Sequence, residues 1–81
     1  MADPKAIAAA ADRYSYMLDG TREGVVLAGR LGSVAAWEDG VVELKIDQAA
    51  AEAGSTPYWA CRTDPAQLAE AKRHFGAWAG L

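Results

Sequence analysis

Apolar residues recur along the first segment at helical spacing: Ile7, Ala10, Ala11, Tyr14, Met17 and Leu18. Positions three and four apart share a helix face, so the run predicts a helix over 4–19 with Ile7, Tyr14, Met17 and Leu18 as its buried stripe. Asp3 before Pro4 is a start signal. The carboxylate caps, and proline takes the first helical position, where its missing N–H has no partner to lose. Gly20 stands where a left-handed glycine closes a helix.

From Glu23 the period becomes alternating. Asp39-Gly40 between strand-forming residues predicts a two-residue hairpin turn, because both central positions favour positive φ. That loop pairs Trp37 with Val42 and Ala35 with Leu44. Val42, Leu44 and Ile46 then point one way, and Glu43, Lys45 and Asp47 the other. A further strand over 23–30 turns at Leu31-Gly32-Ser33. A three-residue loop there pairs Leu27 with Trp37 and Gly29 with Ala35. The expected core face is Val25, Leu27, Ala35, Trp37, Val42, Leu44 and Ile46. The expected outer face is Val26, Ala28, Val34, Ala36, Val41, Glu43 and Lys45.

Residues 47–54 read as a short helix with a glycine stop, and Ser55-Thr56-Pro57 as a break. Residues 58–62 fit either a fourth strand or one helical turn. Asp64-Pro65 starts a second helix, with Gln67 placed to complete a capping box. Its apolar face is Leu68, Ala71, Phe75 and Trp78, and Lys72, Arg73 and His74 complement its carboxyl end. The expected fold is therefore α+β, one domain over 1–81. It has a small antiparallel sheet of three to four strands, flanked by an N-terminal and a C-terminal helix.

Composition limits how well such a chain can bury itself. Of 81 residues 52% are apolar, but 19 of these are alanine. Folding domains this small often gain stability by self-association. The outer sheet face, rich in valine and alanine, is the expected place for it, so a homo-oligomer is anticipated. The single Cys61 excludes an intrachain disulfide framework. No apolar run is long enough to span a bilayer, and no membrane partner is expected. The N-terminus lacks the basic and apolar regions of a secretory signal, and a free thiol suits a reducing compartment, which together predict a cytoplasmic protein.

Net charge is −3, and residues 1–54 are the acidic part. Duplex binding draws most of its affinity from phosphate neutralisation, so the missing basic footprint argues against nucleic acid. One segment keeps that alternative open. Residues 48–62 run helix, glycine turn, Thr56 cap, Pro57 and then a possible helix, which resembles a helix-turn-helix. Its second helix would carry a single cation, Arg62.

Glu70 and His74 share a helix face four residues apart. A metal site needs three or four ligands, and Cys61 is the only other soft donor. The pair reads as an exposed contact, and no metal or cofactor is expected. Cys61 lacks a local base motif, so no catalytic residue is assigned and no enzyme is predicted. The expected function is a small interaction module, an accessory or regulatory protein that binds a protein partner. The aromatic carboxyl end offers Trp59, Arg62, Arg73 and Trp78 as contact residues, and the outer sheet face offers Val26, Val34 and Val41.

Overall fold

The structure is a computed structural model that describes residues 3–44 and 62–80. It has an α+β fold. Helix α1 (Pro4–Ala10) leads directly into strand β1 (Ala11–Asp19), followed by β2 (Arg22–Gly29), β3 (Gly32–Trp37), β4 (Val42–Leu44) and helix α2 (Pro65–Trp78). The four strands form one antiparallel sheet in chain order.

Both helices start as their sequences dictate. The Asp3 side chain accepts a hydrogen bond from the Lys5 N–H at 3.0 Å, and that of Asp64 accepts from Ala66 N at 3.0 Å and Gln67 N at 3.3 Å. The Gln67 side chain does not close a capping box. Its carbonyl oxygen takes the Tyr14 hydroxyl and ties α2 to β1. Lys72 donates to the Ala9 carbonyl at 3.1 Å, bringing a cation to the carboxyl end of α1.

The helix expected over 4–19 stops at Ala10, where Ala11 turns extended (φ −66°, ψ 136°). Tyr14, Tyr16 and Leu18 also alternate, and Arg13-Tyr14-Ser15-Tyr16 favours the pleated state. Pairing with β2 from Ala11↔Gly29 to Asp19↔Arg22 decides between the two periods. Gly20, at φ 64°, opens the two-residue turn between these strands, the position where a type II′ turn needs positive φ.

Both other hairpins differ in register from the expectation. Strands β2 and β3 turn at Arg30-Leu31, pairing Leu27 with Val34 and Gly24 with Trp37. This loop places the Arg30 charge in the turn and leaves it exposed. Between β3 and β4 the loop is Glu38-Asp39-Gly40. Gly40 N–H donates to the Trp37 carbonyl, Trp37 N–H donates to that of Val41 (both 2.9 Å), and Gly40 has φ 90°. Asp39-Gly40 thus marks a hairpin, but one of the three-residue kind with a left-handed glycine.

Each slip changes which face a side chain occupies. Val34 and Ala36 move to the helix-covered face with Val25 and Leu27, while Ala35 and Trp37 move to the other. The second slip cancels the first at β4, so Val42 and Leu44 stay on the Val25 face, although Leu44 is half exposed. Ile7, Tyr14, Val25, Leu27, Val34 and Phe75 centre the core, with Leu68, Val42 and Trp78 packed against it. Val26, Ala28, Ala35 and Trp37 on the second face are buried as well. The apolar outer face expected for self-association is therefore not a free surface: Val26 and Val34 are both fully buried, on opposite faces.

Candidate binding cleft

Helix α2 packs over β1, β2 and β3 on one face of the sheet and leaves Tyr16 and Leu18, at one end of it, exposed. That end is where β1 finishes and β2 begins. Successive odd and even positions of a strand point to opposite faces. Tyr16 and Leu18 therefore follow Tyr14 on the helix side, opposite Val25 and Glu23. The carboxyl end of α2 supplies the facing wall, His74 and Trp78. Between them lies a cleft of about 300 Å³, lined also by Met17, Glu23 and Gly24.

Its side chains span a range of exposure. Trp78 is half-buried against the core, and its ring lies 5.5 Å from that of His74, tilted by 37°. The imidazole Nε2 is 3.5 Å from a Glu70 carboxylate oxygen, which Arg73 also approaches at 3.7 Å. Tyr16 meets Tyr14 edge to face at 5.6 Å between ring centres. Partial burial, then the Glu70 charge, raises the Tyr16 phenol above its ordinary pKa; Arg62 and Arg73 oppose that shift. Leu18 is 76% exposed, the most open large apolar side chain among the described residues.

Beside the cleft sits a tightly paired cluster. Arg22 grips Asp39 through two contacts of 2.8 and 3.3 Å, and its guanidinium lies 4.1 Å from the centre of the Trp37 ring. The Trp37 indole N–H donates to Glu43 at 2.8 Å. The hydrogen bond from Arg22, then that from the Val41 N–H, holds Asp39 below the usual carboxylate range. Arg22 and Trp37 each already satisfy their charge or donor here, so the cluster clamps β2, the β3–β4 turn and β4 together.

The residues singled out from the sequence are scattered by the fold. Trp78 lines the cleft. Arg73 is exposed on α2, one position from His74. Arg62 is exposed, and its backbone pairs with Tyr14 in an antiparallel bridge through hydrogen bonds of 2.9 and 2.6 Å. Val41 is 44% exposed beside the β3–β4 turn. Trp59, Cys61, the short helix over 47–54 and the choice between strand and helix at 58–61 lie outside the described residues. So does the helix-turn-helix segment, except for Arg62, whose backbone is extended rather than helical. Tyr16 and Leu18 also line the cleft, and the helical reading singles out neither because it places Leu18 in a buried stripe. The alternation of Tyr14, Tyr16 and Leu18 is the signal that marks them.

Among the described residues no three His, Cys, Asp or Glu side chains gather to hold a metal ion, and no helix is long and apolar enough to cross a membrane. No family model, curated protein or solved structure matches the chain.

Proposed function

We propose that the protein is a small non-enzymatic interaction module, an accessory or regulatory protein that acts by holding a protein partner at the cleft between β1 and α2. The observation that carries this reading is Leu18, 76% exposed beside a half-buried Trp78. Water-exposed leucine forfeits about 1.5–3 kcal/mol of burial energy. A tryptophan fixed at the edge of a core is a typical binding anchor. The cleft volume of about 300 Å³ lies at the small end for ligand pockets. It suits one or two inserted side chains better than a cofactor. A cytoplasmic setting belongs to the same reading and rests on the lone thiol.

Site-specific photocross-linking tests it. A benzoylphenylalanine at position 18 is expected to trap a partner chain of defined mass in the native host. The same probe at Arg30, in the turn at the opposite end of the sheet, is expected to trap none. Equal trapping at both positions would refute the cleft as the contact surface.

A further inference from the structure

The charges around the cleft are divided between its two ends. Leu18 and Glu23 are cross-strand partners at the open end of the sheet. Asp19 follows Leu18, and Glu38 reaches the Glu23 backbone N–H at 3.4 Å. Asp19, Glu23 and Glu38 make no ion pair among the described residues, while Asp39 is taken by Arg22. Two residues back along β1, about 7 Å away, Tyr16 is next but one to Tyr14, whose backbone bridges to Arg62, and Arg73 neighbours the His74 that lines the cleft. The one carboxylate there, Glu70, is already approached by Arg73 at 3.7 Å and His74 at 3.5 Å. Arg62 makes no ion pair among the described residues, and the Arg73 side chain is 75% exposed. The apolar centre formed by Leu18, Tyr16 and Trp78 is thus bordered by an acidic pole on one side and a basic pole on the other.

We infer that the cleft is occupied by a second copy of this chain, in a two-fold dimer that seats each Leu18 against the other copy's Trp78 and sets each acidic pole against the other's basic pole. This rests on the reading of the cleft as the protein's contact surface and names its partner. A two-fold interface brings one patch against itself, so it requires a patch that complements itself. A surface with poles of opposite sign about an apolar centre meets that requirement. A uniformly acidic surface would repel its own copy. The size of the chain points the same way, since a core built largely from alanine and valine gains from burying Leu18 and Tyr16.

Sedimentation velocity on the purified chain, from about 5 µM to 1 mM in low salt, tests the inference. The wild type is expected to pass from monomer to dimer across this range and to shift back toward monomer in 0.5 M NaCl. Leu18→Asp is expected to be monomeric throughout with an unchanged circular dichroism spectrum, because the side chain it replaces is exposed. Glu23→Arg and Arg73→Glu are each expected to weaken association about tenfold. The double variant Glu23→Arg with Arg73→Glu restores it. A wild type that stays monomeric at 1 mM overturns the inference, as does a dimer unaffected by Leu18→Asp or double-variant association no tighter than that of either single variant. A monomer whose position-18 probe traps a different protein also overturns it, while leaving the proposed function standing. Failure of both experiments removes both.

Discussion

Gly29 and Gly76 predict opposite outcomes for the same substitution. At Gly29 an added Cβ would lie 2.7 Å from the Ala10 carbonyl oxygen and 3.0 Å from Ala11 Cα. Both are backbone atoms at the point where α1 becomes β1 without a linker, so no side chain can swing aside. The junction itself must move. Overpacking of this kind costs about 1–3 kcal/mol. The stiffer unfolded chain of an alanine variant returns about 0.4–1 kcal/mol. The net expectation for Gly29→Ala is a loss of about 1–2 kcal/mol, from a total of about 4–12 kcal/mol for a chain of this length. At Gly76, inside α2, the same atom meets nothing within 4 Å. Replacing a helical glycine there gains about 0.5–1 kcal/mol. Urea titrations followed by circular dichroism separate the two, with the slope held common so that midpoints report stability. In thermal melts the variants should diverge by about 6–24 °C at 4–8 °C per kcal/mol. A Gly29→Ala protein as stable as wild type would refute the close approach of α1 to β2.

Two further outcomes follow from the packing and the charges. Phe75 is 1% exposed at the centre of the core, so Phe75→Ala is expected to cost about 3–5 kcal/mol; a loss under 1 kcal/mol in urea would show that α2 does not dock as described. Asp39 has a lowered pKa in the folded protein, through Arg22 first. Its contribution is therefore full above the unfolded carboxylate value, about 3.9, and is lost as pH falls through the lower folded value. The urea midpoints of wild type and Asp39→Asn should differ at pH 7 and converge near pH 2, and a gap independent of pH would exclude the ion pair as its source.

The helix starts were legible from local chemistry, whereas the end of the first helix and the strand β1 that follows it were not. Asp3-Pro4 and Asp64-Pro65 define both starts, because a cap involves only neighbouring atoms, and Leu68, Ala71 and Phe75 face the core as their spacing requires. The hairpins were located through Gly32 and Gly40 but misregistered. Alternation fixes register when one face is polar. Along Val25-Val26-Leu27-Ala28 and Val34-Ala35-Ala36-Trp37 both faces are buried, so no polar phase marks the correct pairing, and loops of two or three residues fit equally. The cleft was half legible. Trp78 stood out by its chemistry, whereas Leu18 becomes a surface residue only once β1 is a strand and α2 stops short of its end.

A sheet whose spatial order follows the chain order also has an order in time. Each pairing closes over a turn of two or three residues, and short closures cost little entropy. The bond from Tyr14 to Gln67 spans 53 positions and forms only after α2 exists. During synthesis the meander is complete in sequence at Leu44, 34 residues before α2 ends at Trp78. At about 5–20 residues per second, that is a wait of roughly 2–7 s. Throughout it Val25, Leu27 and Val34 have α1 beside them and no α2 above them. A sheet face that precedes its covering helix in the chain is thus bare whenever the meander folds first, and a chaperone or a second newborn chain then competes with α2 for it.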